Sequence, residues 1–169
     1  MIGLILSAGK GTRLGKLTKD TPKPMIEVAG KPVLEHLVEY LENYDVSPII
    51  VNLHYLPMVI MKHFGSRVLY TYEPELFGEE GTIDNLETRD DFMVVMNGDT
   101  LTDLNLNLMF LMSKGRNIRY MDGKTYAGTK ILSPDYYKDR SFVDYQDATA
   151  KWYDIGTPQG LKEARKAYE

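Results

Sequence analysis

The sequence predicts an α/β protein with a Rossmann-like, mostly parallel sheet flanked by helices. Three observations predict it. Short apolar runs without polar alternation recur through the first hundred residues, as in strands buried on both faces. Segments with apolar residues at helical spacing separate those runs. The runs at Leu6, Val51 and Met96 pass directly into polar residues. In such a sheet those carboxyl ends share one edge, which is where ligands bind.

Taken in order, Ile2 to Leu6 is a buried strand ending in a Gly-rich turn. Pro32 opens a helix over 32–43, with Val33, Leu34, Leu37, Val38 and Leu41 on one face. Ile49 to Val51 is a second strand, and Pro57 starts a helix over 58–64. Val68 to Tyr70 is a third strand. Residues 82–88 fit a short helix, and Phe92 to Met96 a fourth strand. Beyond about residue 115 the pattern weakens; 117–121 and 126–132 read as strands joined by a turn at Asp122-Gly123. Thr157 and Pro158 have the cap and first-turn chemistry for a last helix over 158–168. This makes one domain over 1–169: a core over 1–115, a small lobe over 116–156 above the sheet edge, and the final helix.

Composition narrows the function. The chain has 169 residues, 43% hydrophobic and 26% charged, enough to bury a core. Its net charge of −4 disfavours a general nucleic-acid or anionic-membrane binder. Absence of cysteine excludes a disulfide scaffold, a thiolate nucleophile and a Cys-ligated metal. No apolar stretch reaches membrane-spanning length, and the first apolar run is too short for a signal-peptide core, so a cytoplasmic location is expected.

The strand ending at Leu6 is followed by Ser7, Ala8, Gly9, Lys10, Gly11, Thr12, Arg13 and Leu14. Small residues and two glycines let backbone N–H groups approach an anion, and Arg13 can add a bidentate phosphate contact. The string is neither a P-loop nor G-x-G-x-x-G, and alone it equally fits a strand-to-helix turn with a solvated arginine. Ten residues on, Thr21-Pro22-Lys23-Pro24-Met25 holds one lysine between two prolines. A stiffened cation beside a phosphate loop suits charge neutralisation during phosphoryl or nucleotidyl transfer, although a Pro-rich turn with an exposed Lys reads the same way. Asp99 in Asn97-Gly98-Asp99 and Asp154 in Trp152 to Pro158 are two carboxylates that a shared sheet edge would make an Mg²⁺ site. Singly, each also reads as a turn or capping Asp.

G-x-G-T-R-L, then L-T, then T-P-K-P-M together resemble the signature of the sugar-1-phosphate nucleotidyltransferases, also called nucleotide-sugar pyrophosphorylases. The G-D at 98–99 and W-x-D-x-G-T-P at 152–158 resemble the strings that supply that family's two metal-binding aspartates. The resemblance implies Mg²⁺-dependent transfer of a nucleotidyl group from a nucleoside triphosphate to a sugar 1-phosphate, with pyrophosphate released. It implies Arg13 and Lys23 as catalytic residues and Asp99 and Asp154 as metal ligands. It places Leu6 to Thr12, Asn52, His54, Gly81, Asn97 and Gly98 around the nucleotide, with His54 equally readable as a structural histidine.

The segment Tyr72 to Thr82 resembles the family's E-x-x-L-G-T-A-G-T/A stretch, with Glu79-Glu80 replacing T-A. Two acids facing polyanionic ligands are electrostatically awkward unless they point outward. Family members are usually longer, so the resemblance implies a reduced sugar-binding lobe. No E-K-P string is present; Lys124 is the nearest candidate for its sugar-phosphate lysine and also reads as a hairpin-turn residue. Tyr126 and Gly128 stand in a run resembling N-A-G-x-Y-x-x-S-P and are assigned to the sugar phosphate on that basis. The base stays open: Asn52 to Leu56 followed by Tyr72 to Leu76 resembles mannose- or heptose-type guanylyl members, Lys10 with Gly11 to Leu14 suits uridylyl or thymidylyl members, and Gly15 to Thr18 cytidylyl members. The shortening leaves a second reading, a catalytically degenerate relative that binds nucleotide or nucleotide sugar as a sensor or partner subunit. A homo-oligomer could supply missing contacts, and the 12 tyrosines and 9 methionines suit either an interface or the core.

Overall fold

The computed structural model describes residues 1–86 and 90–168. Its seven-stranded sheet is built from β1 (Ile2–Leu6), β4 (Ile49–Leu53), β5 (Leu69–Tyr72), β6 (Met93–Asn97), β8 (Ile118–Asp122), β9 (Thr125–Leu132) and β10 (Val143–Tyr145). The spatial order is β10-β8-β9-β6-β1-β4-β5. Neighbours pair in parallel except at β9, which runs antiparallel to both β6 and β8. Two small ribbons, β2 (Glu27–Val28) with β3 (Lys31–Pro32) and β7 (Thr100–Thr102) with β11 (Trp152–Asp154), lie outside that sheet.

Strand alternation divides the core. Ile5, Val51, Val94 and Met96 face a large cluster completed by α1 (Val33–Asn43), α2 (Pro57–Phe64), α4 (Leu106–Ser113) and α5 (Pro158–Tyr168). Leu4, Ile50, Met93 and Val95 face a smaller one with Ile83 of α3 (Gly78–Asp84) and Tyr136. Both faces are thus covered, which explains why the central strands read as continuous apolar runs.

Several expectations are corrected. The helix expected at 82–88 lies at Gly78–Asp84; its expected residues 87 and 88 fall outside the described residues. The lobe expected over 116–156 is mostly the sheet itself: β8, β9 and β10 extend it beyond β6, because the β8–β9 hairpin pairs edge-on with β6. α4 has no counterpart in the sequence reading. Its run Leu-Asn-Leu-Met-Phe-Leu-Met-Ser is apolar nearly all round, so no one-sided spacing reveals it. Asn105 caps it, its side-chain oxygen accepting from the Leu108 N–H at 3.0 Å. At α5 the cap is the expected one, with Thr157 Oγ1 accepting from the Gly160 N–H at 3.1 Å. Among the described residues no helix is long and apolar enough to cross a membrane.

Candidate active site at the carboxyl ends of the central strands

Register sets the first row of the site. Leu6 stands opposite Asn52 of β4 on one side and Asn97 of β6 on the other. These three residues line a cavity of about 260 Å³ together with Ala8 and Gly9 of the following loop. The strands are packed so closely here that a Cβ on Gly98 would lie 2.7 Å from the Leu6 carbonyl oxygen and 2.7 Å from Ser7 Oγ. Glycine at 98 is therefore a packing requirement.

Asn52 anchors the loop. Its side-chain oxygen accepts from the Ser7 N–H, and its amide donates to Glu73 at 2.8 Å. Glu73, only 2% exposed, also accepts from Thr82 Oγ1 and from the Phe77 N–H at 3.4 Å. A carboxyl group buried this far needs such donors to offset lost hydration. Sequence reasoning assigns Glu73 no role, although it is the leading glutamate of the Tyr72 to Thr82 segment that resembles E-x-x-L-G-T-A-G-T/A. His54 stands outside the cavity lining, its Nδ1 hydrogen-bonded to the Glu73 carbonyl at 2.9 Å, which is the structural alternative. Gly81 packs within α3 against Phe77, and Thr82 is the residue of that segment that reaches the cavity.

The charged centre lies beside this pocket. Lys23 sits on a short 3₁₀ turn, Lys23–Met25, held by its flanking prolines, and its ammonium pairs with Asp99. Both side chains are about 15% exposed. Gly11, at φ +66°, lies against the lysine: a Cβ there would meet Lys23 Cβ and Thr18 Cγ2, each at 2.9 Å. Thr18 Oγ1 donates to the Gly11 carbonyl at 3.0 Å and fixes the loop's far end.

Asp154 reaches Asp99 through pairing rather than sequence. β11 runs antiparallel to β7 with Asp154 opposite Thr100, and the Ile155 N–H donates to the Asp99 carbonyl at 2.9 Å. The position a Cβ would take on Gly156 lies 2.8 Å from Asp154 Oδ1, 3.0 Å from an Arg13 guanidinium nitrogen and 3.1 Å from Asp99 Oδ2. Arg13, Asp99 and Asp154 therefore crowd one point, and Lys23 joins through Asp99. Among the described residues no group of three or more His, Cys, Asp or Glu could hold a metal. The two carboxylates still suit Mg²⁺, a hard ion that takes one or two carboxylates and fills its shell with water and substrate phosphate oxygens. Lys10 and Thr12 are exposed, on the open side of the loop.

The acids at 79 and 80 part company. Glu80 is directed outward, 3.9 Å from Arg140. Glu79 lines the cavity and pairs with Lys130 of β9, whose side chain is 6% exposed. Lys130 is the second functional candidate that sequence reasoning misses. Lys124 stands exposed in the two-residue turn between β8 and β9, as the hairpin alternative has it. Tyr126 is half-buried on β9; burial, reinforced by the negative charge of Glu79, holds its hydroxyl protonated well above the usual range. Gly128, at φ +77°, packs against Thr100, where a Cβ would lie 2.7 Å from Oγ1.

A family model described as nucleotidyl transferase matches residues 2–118. The D-glycero-alpha-D-manno-heptose 1-phosphate guanylyltransferase of Campylobacter jejuni is 36% identical over 117 residues, 66% of this chain and 53% of that protein. The UTP–glucose-1-phosphate uridylyltransferase AglF of Haloferax volcanii is 34% identical over 113 residues, 63% of this chain and 46% of that protein. The chain thus spans about half the length of these curated relatives. Among solved structures, HddC from Yersinia pseudotuberculosis, also solved with GMP-PN, superposes over the whole of both chains with a TM-score of 0.80 and 25% identity.

Proposed function

The chain belongs to the nucleotidyl transferase family, and from that premise we propose that it transfers a nucleotidyl group from a nucleoside triphosphate to a sugar 1-phosphate. The observation that carries this reading is the convergence of Arg13, Asp99 and Asp154 at Gly156, with Lys23 on Asp99, beside the cavity at the ends of β1, β4 and β6. The activities named for the relatives, guanylyl and uridylyl transfer to sugar 1-phosphates, lie in the same class.

In this reaction an oxygen of the sugar phosphate attacks the α-phosphorus. A P–O bond forms there, and the bond from the α-phosphorus to the bridging oxygen breaks in line. The electron pair leaves with pyrophosphate. The nucleophile is already an anion, so no general base is required, and catalysis is positioning and charge neutralisation. The free amides of the loop after Leu6 and the Arg13 guanidinium bind triphosphate oxygens. Lys23, held by Pro22, Pro24 and Asp99, offsets charge as two anionic groups are brought together. Asp99 and Asp154 would hold Mg²⁺, which when bound supplies Lewis-acid neutralisation of phosphate oxygens. Asn52 keeps the loop seated through Ser7, with Glu73 and Thr82 fixing Asn52 in turn.

The test is pyrophosphate release by the purified chain with Mg²⁺, nucleoside triphosphates and sugar 1-phosphates. Release that requires both substrates supports the reading. Binding of nucleotide without release from any pair replaces it with a nucleotide-binding relative that does not turn over.

A further inference from the structure

The pair formed by Glu79 and Lys130 has no part in the chemistry above, yet it stands at the cavity wall. Glu79 comes from the first turn of α3 and lines the pocket, while Lys130 comes from β9 and lies behind it, buried. The Lys130 ammonium also faces the Phe142 ring, 5.4 Å from its centroid. Burying a lysine is costly unless it is paired, and here the only carboxylate paired with it among the described residues is one directed at the pocket. Near the same pair lies the Tyr126 hydroxyl, buried and without a hydrogen-bond partner among the described residues.

Strand order says which ligand. The pocket runs across the sheet from β4 through β1 to β6, with β9 beyond. At the β4 end Asn52, Glu73 and Thr82 satisfy one another and seat the loop. The phosphate loop leaves β1 in the middle, and the two aspartates sit just past β6 and on β11. Lys130 and Tyr126 lie on β9, and Glu79 reaches Lys130 from the helix that also carries Thr82. A nucleotide laid along this row with its base toward β4 and its phosphates at the loop leaves the β9 end for the acceptor.

We infer that Glu79 binds hydroxyl groups of the acceptor sugar, with Lys130 as the positioning residue that holds and neutralises it. This rests on the transferase reading and names the acceptor class: a pyranose with free hydroxyls at the end remote from its phosphate. A carboxylate is a strong acceptor for paired hydroxyl donors. Its charge would repel a second anionic group on the sugar, and a deoxy position would leave it unpaired. Lys130 removes the net charge from the pocket wall, so a phosphorylated ligand can approach.

Calorimetric binding separates this from the transferase reading because it needs no turnover. The probes are GDP with GDP-mannose, UDP with UDP-glucose, and dTDP with dTDP-glucose, against wild type, Glu79→Gln, Lys130→Met and the Glu79→Leu/Lys130→Met double variant. The double variant removes both charges together and guards against misfolding of the singles. The expected result is that one nucleotide sugar binds wild type about 10-fold or more tighter than its own diphosphate. All three variants lose that increment while binding the diphosphate within about 2-fold of wild type. An increment that survives in the double variant, or that wild type never shows, overturns the assignment. Equal weakening of diphosphate and nucleotide sugar overturns it too, by moving the pair to the nucleotide. A wild type that binds none of the three diphosphates contradicts the transferase reading itself.

Discussion

Lys23 and Asp99, 76 residues apart, form an ion pair in which neither side chain is more than 16% exposed. The pair ties the Pro-flanked turn to the turn that follows β6 and carries the candidate metal ligand Asp99. Lys23→Ala is expected to lower turnover by about 100-fold or more while leaving the far-ultraviolet circular dichroism unchanged. Near-normal turnover in the folded variant would remove Lys23 from the chemistry.

The two carboxylates carry the metal proposal. Asp99→Asn and Asp154→Asn should each raise the Mg²⁺ concentration for half-maximal activity by about 10-fold or more. An Mg²⁺ titration of the variants checks this, and unchanged curves for both would place the metal elsewhere. Chelation of divalent ions should abolish turnover in the wild type and leave the fold intact, because neither hydrophobic core includes Asp99 or Asp154.

Asn52 couples three elements through one side chain. Asn52→Ala strips partners from the Ser7 N–H and from Glu73, both buried. A cost of about 1–3 kcal/mol in denaturant unfolding is expected, together with weaker nucleotide binding. Gly98→Ala, with its Cβ 2.7 Å from the Leu6 oxygen, should cost a similar amount by strand displacement. Substitutions at either site without loss of stability would refute the packing argument.

Acid stability has an identifiable source in the ion-pair cluster of Glu35, Glu42, His63 and Arg67. Burial of Glu35 opposes its charged form, but hydrogen bonds from Arg67 and His63 outweigh that and hold its carboxyl below the ordinary value of 4.5. The Arg67 hydrogen bonds do the same for Glu42. A carboxyl depressed on folding stabilises the protein above its unfolded value, and that contribution is lost as pH falls through the lower folded value. The wild type should therefore lose stability as pH drops below about 4.5. Arg67→Met should be less stable at pH 7 by about 0.5–1 kcal/mol, reduced by solvent screening of these half-exposed groups, with a shallower fall in acid. Parallel melting curves at pH 3, 5 and 7 decide it.

Much of the fold is legible because local signals agree with the tertiary outcome. The buried runs at Ile2, Ile49 and Met93 have no polar alternation, so only central strands suit them. Pro32 and Thr157 mark helix starts by their own backbone and capping chemistry. The hairpin of β8 and β9 is also legible, but its docking beside β6 is not, since nothing in either strand names a partner. α4 hides because its apolar residues circle the helix. The site divides the same way. Arg13, Lys23, Asp99 and Asp154 stand in specific strings, whereas Glu73 and Lys130 become visible only when distant segments meet. The acid pair at 79–80 is awkward in sequence and resolved in space by two cations, Lys130 and Arg140.

The central claim is tested most directly by pyrophosphate release from the purified chain with Mg²⁺, using ATP, GTP, CTP, UTP and dTTP against hexose, N-acetylhexosamine and heptose 1-phosphates. The account predicts release that requires one triphosphate and one sugar phosphate together and that disappears in Lys23→Ala. Absence of release from every pair, with folded protein that still binds nucleotide, would contradict it.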